Sequence, residues 1–440
     1  VTADAPTALH QRWRTLDTAA GGLALDLGLY TMSALFAAIT ASTSTLLPHR
    51  AWGAVATVGY LVTTLAVVVQ LIVRRRAPRL AGLASRWVVT GLAWVTTALV
   101  PVLWQSIERA NGRIDRAQEE VLVVEQAGIR LLDHGTPYLG RDAIAALPAG
   151  EQLLGYTPYQ PGMAMFGVPR ALVDVWWTDA RVWFALGTAL ALALAVVALR
   201  SAPATLGAEH RRDAALLRGL QAATVLPVCA LTLATGGDDL PVLALCLLAL
   251  ALAAVGRPGR AGLAVGLAGA LKLFAWPVAL VLIVWGLTRR AGARVAAGAI
   301  GLPVLALLPA LLVDRGALAE NVLRFPLGHG LVTSPAQSPF PGYLIATILP
   351  GGRLIAATLL VAAGAAIAVR LARRPPGTAA TTASICGYGL LAAIALMPST
   401  RFGYLLYPVA LLVWAPAVHR PESAPTTPTP EHLPGRATSA

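Results

Sequence analysis

Charge is what this sequence has least of. Only 12% of its 440 residues are Asp, Glu, Lys or Arg, against 57% apolar. A water-soluble domain of that length needs far more polar surface, which excludes an ordinary soluble fold. Polar–apolar alternation is also missing. The apolar runs are continuous, and that excludes a closed β-barrel. Cysteine is sparse: Cys229, Cys246 and Cys386 each sit inside an apolar run, with no CxxC pair and no histidine cluster. Those thiols read as small packing residues, not as a disulfide framework or a thiolate metal site. No internal repeat of the transporter type is evident.

What the chain has instead is apolar runs long enough to cross a bilayer, roughly 20 helical residues for about 30 Å of hydrocarbon. The expected fold is an all-α polytopic membrane protein of about ten full transmembrane helices plus a short-helix hairpin. Full spans are expected near 25–47, 52–73, 87–104, 182–199, 219–236, 240–256, 295–313, 354–369, 379–397 and 402–418.

The formal charge of +13 would suggest nucleic acid if read without a map. The cations, however, fall mostly in short loops on one side: Arg74 to Arg76, Arg211-Arg212, Arg257 and Arg260, Arg289-Arg290, Arg370, Arg373 and Arg374. That is the positive-inside pattern, so the nucleic-acid reading is rejected. It places both termini in the cytoplasm and the protein in the plasma membrane. Residues 1–20 are expected to form a polar cytoplasmic N-terminal segment, and no cleavable leader is evident in them. Residues 21–419 form the transmembrane domain, with extracytoplasmic loops at 105–177 and 314–352. Residues 420–440, rich in Pro, Thr and Ser, are expected to be a disordered cytoplasmic tail.

One apolar stretch, 261–287, does not fit a single span. Basic residues flank both ends, and Lys272 and Pro277 interrupt its middle. A hairpin of two short helices keeps both basic clusters on one side and puts Lys272 near its tip, at membrane depth. Non-helical backbone is tolerated there only against protein or water.

The first outer loop holds the one long polar stretch, Glu119 to Pro161. Residues 118–132 are helix-compatible and amphipathic, with Glu119 and Glu120 in the first turn. Gly135 and Pro137 end that helix. Tyr156-Thr157-Pro158-Tyr159-Gln160-Pro161 then leads into a short apolar helix.

These elements resemble the glycosyltransferase C superfamily, specifically family 87, the polyprenyl-phosphomannose-dependent mannosyltransferase type. Glu120 stands at the family's acidic position, where Asp is usual. Gly135-Thr136-Pro137-Tyr138 and Tyr156-Thr157-Pro158-Tyr159 stand where the family has its Pro-Tyr and Tyr-Pro-Pro elements. GLAGALKLFAWP (266–277) resembles its Gly-rich run, and MPSTRFGYLLYP (397–408) its late span. Residues 85–418 are covered, and two spans precede the matched region as an addition.

The resemblance implies an inverting transfer of a sugar, mannose first and arabinofuranose second. The donor is a polyprenyl-phosphate sugar and the acceptor an envelope glycan or glycolipid. Membrane lipids are further partners, and no resident cofactor is implied. Glu120 is the candidate general base; the bland alternative is a solvated carboxylate at a helix N-terminus. Its neighbour Glu119 competes for the role.

Lys272 and Arg401 are candidates to hold the lipid phosphate. A cation at membrane depth costs at least about 2.5 kcal/mol, so Lys272 needs a reason, whether phosphate, snorkelling or an ion pair. Arg401 sits at the outer end of a span, and a guanidinium matches phosphate geometry. Tyr404 lies a turn deeper. Asp238 and Asp239 serve either as a helix cap and first-turn charge or as partners of sugar hydroxyls. They leave a divalent ion open, although no third oxygen ligand is apparent. Tyr156, Tyr159, Arg324 and His329 complete the substrate-binding candidates. Asp26, early in the first span, either pairs with an arginine of a neighbouring helix or sits at the interface. A lipid or small-molecule transporter or flippase is the alternative function, and an inactive envelope scaffold a third.

Overall fold

The computed structural model describes residues 15, 17–203 and 206–419. The expectations for residues 1–14 and for the tail at 420–440 lie outside them. Throughout the described residues the fold is helical. An isolated parallel bridge between Gln337 and Thr400 is the sole strand-like pairing among them.

Three long helices open the bundle: α1 (Leu23–Thr43), α2 (Leu47–Val73) and α3 (Leu83–Ala110). A wide turn at Val95–Leu99 interrupts α3. Pro101 follows and cannot donate to the helical ladder, so the helix absorbs the lost bond by loosening one turn. The expected loop start at 105 therefore lies within a helix that runs on to Ala110, and Gln105 and Arg109 extend from its last turns. The loop helix α4 (Glu119–His134) ends at Gly135, whose φ of +71° supplies the left-handed cap. Residues 161–166 form the short apolar helix expected there, wound as a 3-10 helix. The chain re-enters the bundle through α5 (Ala180–Arg200).

Residues expected as a basic loop are helical from Leu206. They form α6 (Leu206–Leu220), which widens at Gln221–Val225 and bends by 43° into α7 (Pro227–Thr235). Pro227 is the cause, since it has no N–H to continue the ladder. Next come α8 (Asp239–Ala254), α9 (Pro258–Leu271), α10 (Trp276–Thr288) and α11 (Gly292–Ala319). The last helices are α12 (Pro341–Ile348), α13 (Gly352–Arg373), α14 (Ala379–Leu396) and α15 (Leu406–Trp414).

Among the described residues, seven helices are long and apolar enough to cross a bilayer, or eight if the bent α6–α7 pair is one span. Three further apolar helices, Asp239–Ala254, Leu273–Thr288 and Phe402–Trp414, are shorter. This corrects the count of about ten full spans. Two of the short helices start beside charged residues, Asp238 and Arg401, and the third follows Lys272; those residues lie where a longer apolar helix would continue. Helix also extends into the expected second loop, 314–352. Backbone outside the helical region at Asp314 kinks α11, but helix resumes and runs to a wide turn at Glu320–Arg324.

The stretch 261–287 is a hairpin. Gly262, Gly266 and Gly269 of α9 face Val295, Gly298 and Pro303 of α11 in the same order, so these two helices run parallel. Between them α10 must run back, and Gly286 near its end meets Gly292 at the start of α11. The glycines permit the contact. A methyl group on Gly266 would lie 2.8 Å from the carbonyl carbon of Gly298, an approach possible only between bare backbones. Lys272, with extended backbone at φ −154° and ψ 144°, breaks the helix at the hairpin tip.

A second polar knot ties the first helices to α6 at the opposite end of the bundle. Arg86 of α3 grips Asp26 of α1 through two bonds of 2.6 and 3.2 Å. Arg218 of α6 also pairs with Asp26, and Gln221 donates to it at 3.0 Å. Asp26 thus pairs with neighbouring arginines rather than sitting at the interface. The three cysteines are buried and unpaired, as packing residues would be.

Candidate active site

Four separate segments meet at the end of the bundle that carries α4. The first is the N-terminus of α4. Gln118, its cap, hydrogen bonds to α7: its N–H donates to Thr235 O at 3.0 Å, and its side-chain oxygen accepts from the Thr235 hydroxyl at 2.9 Å. That fixes the first turn of α4 against Gly236. A methyl group there would touch Glu120, 3.8 Å from its Cβ and Oε2. Glu120 is half-buried and ion-paired with Arg401. Glu119, one residue earlier, is exposed.

The second segment is Gly236 to Asp239, the turn into α8. Gly237 at φ +88° makes the turn. The third is the hairpin tip, whose Lys272 ammonium donates to Asp238 Oδ2 at 2.8 Å and Asp239 Oδ1 at 2.6 Å. All three side chains are buried. Two carboxylates on one ammonium leave a net negative charge, and Tyr407 offsets part of it by donating to Asp239 Oδ1 at 2.7 Å.

The fourth segment is the start of the last helices. Tyr404 and Tyr407 lie against Phe274, with ring centroids 4.6 and 5.2 Å away. The Lys272 ammonium sits over the rings of Tyr159 and Tyr404, at 5.2 and 5.7 Å. Such cation–aromatic contacts favour a desolvated ammonium. Burial and the nearby Asp238 push the Tyr159 phenol well above its ordinary range, so it stays neutral.

The remaining candidates form a neighbouring group around a residue that sequence reasoning missed. Glu320 is buried in the wide turn after α11. Its Oε1 accepts from Arg141 at 2.8 Å and from the Tyr156 hydroxyl at 2.9 Å. Burial and the Glu320 carboxylate outweigh the Leu331 N–H bond and raise the Tyr156 phenol, so Tyr156 donates. Arg324 lies 3.5 Å from the same carboxylate but is 62% exposed. His329 contributes its backbone carbonyl to Arg141 at 3.1 Å, and its side chain is exposed. Asn321 completes the clasp between the two loops, accepting from Thr157 N–H at 2.7 Å and donating to Leu139 O at 2.8 Å. Glu320 was hidden because the second loop was read as irregular.

Two buried polar atoms beside the first group make no hydrogen bond: Gln160 Oε1, next to Tyr159, and Thr400 Oγ1, next to Arg401. Buried groups of this kind are normally satisfied, and a bound polyol is one way to satisfy them. Among the described residues, no group of three or more His, Cys, Asp or Glu is placed to hold a metal ion.

The loop helix is itself held rigidly. Arg109, from the end of α3, makes a fork of 2.5 and 2.7 Å on Glu125 of α4 and reaches Asp179 at 2.9 Å. Asp179 caps α5 and also binds Arg181 at 2.8 Å. Gly128 of α4 lies against the Gly167–Val168 backbone, where a side chain would not fit.

Comparison with curated proteins and with solved structures gives no match. Comparison with protein families does. Residues 156–399, just over half the chain, match Glycosyltransferase family 87. The matched segment contains Tyr156, Tyr159, Asp238, Asp239, Lys272, Arg324 and His329. It starts after Glu120 and stops just short of Arg401. A polytopic helical membrane protein whose hairpin tip, acidic turn and loop clasp all fall inside that match is a member of a sugar-transferring family, which favours an enzyme over a transporter: the chain belongs to glycosyltransferase family 87.

Proposed function

We propose that the chain transfers a sugar, mannose by preference and arabinofuranose second, from a polyprenyl-phosphate donor to an envelope glycan or glycolipid, on the extracytoplasmic side of the plasma membrane. The observation that carries this reading is the Glu120–Arg401 pair beside the Asp238–Lys272–Asp239 cluster, assembled from four segments at one end of the bundle. Arginine clusters in the loops toward the opposite end support an outer location for this site, by the positive-inside rule. Nucleotide sugars are kept in the cytoplasm, which makes a lipid-linked sugar the natural donor there.

In the resting protein Arg401 occupies Glu120. A donor phosphate competes for the guanidinium, whose planar fork suits it. Drawing Arg401 away leaves Glu120 free to act as base. It takes the proton of the acceptor hydroxyl as that oxygen forms its bond to the anomeric carbon. The bond from that carbon to the phosphate oxygen breaks, and the electron pair leaves with the polyprenyl phosphate. Attack opposite the leaving group inverts the anomeric centre. Arg401 stabilises the charge arriving on the phosphate. Lys272 is already shared between two carboxylates, so its proposed part is to hold Asp238 and Asp239 where they accept from sugar hydroxyls.

The test is transfer of label from a polyprenyl-phosphate sugar to a membrane acceptor. Glu120→Gln should abolish transfer at unchanged protein level, whereas Glu119→Gln should retain it. Full transfer by Glu120→Gln rejects this assignment of the base.

A further inference from the structure

A cavity of about 360 Å³ lies under the second loop; its walls include Phe325, Gly328, Leu331, Thr333, Gln337, Tyr343, Thr347, Arg353 and Ser399. It is within the size range of small-ligand sites. Its lining carries hydroxyls, an amide, two aromatic rings and apolar side chains, one cation and no acid. Arg353 has no carboxylate partner among the described residues. Its guanidinium lies against Gly328, where a methyl group would meet Arg353 Cζ at 2.8 Å. Gly328 has φ +80°, so a backbone that favours glycine makes the bed on which the arginine rests.

Two features join this cavity to the candidate active site. Ser399 of its wall stands two residues before Arg401, about 7 Å along extended chain. Phe325, on another wall, stacks on Tyr156 with ring centroids 4.2 Å apart.

We infer that this cavity is a binding site for an anionic saccharide, in which hydroxyls and the amide take the sugar and Arg353 takes its phosphate or carboxylate. Hydroxyl-rich walls match a polyol hydrogen bond for hydrogen bond. An unpaired guanidinium recognises a planar or tetrahedral oxyanion. On the glycosyltransferase reading, on which only this last step rests, the saccharide is the non-reacting part of the acceptor, held beside Arg401.

A thiol at Thr333 reports on the cavity, because the three native cysteines are buried. Thr333 is exposed and lines the cavity. In the full chain in nanodiscs, Thr333→Cys is reacted with a thiol reagent in the presence of mannose 6-phosphate, mannose or inorganic phosphate. Mannose 6-phosphate should protect at the lowest concentration. Adding Arg353→Gln should raise that concentration about tenfold, the scale of one charge-assisted hydrogen bond. Protection by mannose as strong as by its phosphate overturns the anionic half, and equal protection by inorganic phosphate overturns the saccharide half. No protection overturns the site, whether or not Arg353→Gln folds. Transfer activity does not enter, so loss of the catalytic reading would leave this result standing.

Discussion

Arg401 and Glu120 form an ion pair across 281 residues of sequence. Each is set by a different device. Glu120 rides on a loop helix clamped through Glu125, and Arg401 follows Thr400, which bridges to Gln337 of the second loop. Neither belongs to a membrane-spanning helix, so both can respond to a ligand without disturbing the bundle.

If Arg401 receives the donor phosphate, its loss removes a charge stabiliser from the transition state. Arg401→Gln should lower the transfer rate on the order of 10²-fold, as removal of a single preorganised donor does elsewhere. Arg401→Lys keeps the charge but not the fork, and should recover only part. Initial rates against donor concentration check both. A wild-type rate in Arg401→Gln would show that the pair only anchors the loop.

Lys272 is the sole lysine of the chain. Lys272→Met should leave Asp238 and Asp239 buried without their cation. Breaking such a pair costs about 3–5 kcal/mol. Thermal unfolding in nanodiscs should show a large fall in Tm. Adding Asp238→Asn and Asp239→Asn should restore much of it, because the uncompensated charge goes with them. A Tm unchanged by Lys272→Met would mean that water reaches the cluster.

Much of this was legible in the sequence for physical reasons. Continuous apolar runs fix a helical membrane fold, and flanking arginines around 261–287 required the hairpin that the α9–α11 packing displays. The helix from Glu119 to its Gly135 cap was readable because caps are local. Contacts between distant segments were not. Nothing near Lys272 in the sequence announces that Asp238 and Asp239 will claim it. Glu320 looked like a loop residue because the resumption of helix after the Asp314 kink depends on packing against Tyr138 and Leu139 of the other loop. The span count ran high because periodicity and hydropathy do not show how early a polar cluster stops a helix.

The α9–α11 contact offers a controlled test. Gly266→Leu forces a side chain into the Gly298 backbone and should sharply lower folded yield. Gly301→Leu on α11 has nothing within 4 Å of its new Cβ. It should change stability by no more than about 0.5 kcal/mol. Size-exclusion profiles and Tm compare the two. Equal damage from both would mean that residue size, not the helix contact, is responsible.

Asp179 gives the clamp a pH dependence. Burial pushes its carboxyl up, but Arg181 and Arg109 together overcome this and hold it well below the usual carboxylate range. A pKa depressed in the folded state means that the unfolded chain binds the proton more readily. The stabilisation is therefore complete above the unfolded value of about 3.9 and is lost as pH falls through the lower folded value. Asp179→Asn removes this dependence together with the charge that Arg109 and Arg181 share. The Tm difference between wild type and Asp179→Asn should be constant from about pH 5 upward and should shrink below about pH 4. Because Arg109 also holds Glu125, the variant should loosen α4 and cost transfer activity at neutral pH, where Asp179 itself does not titrate. A Tm gap that stays constant as the pH falls below about 4 would show instead that the folded carboxyl titrates in its ordinary range and that the two arginines do not hold it down.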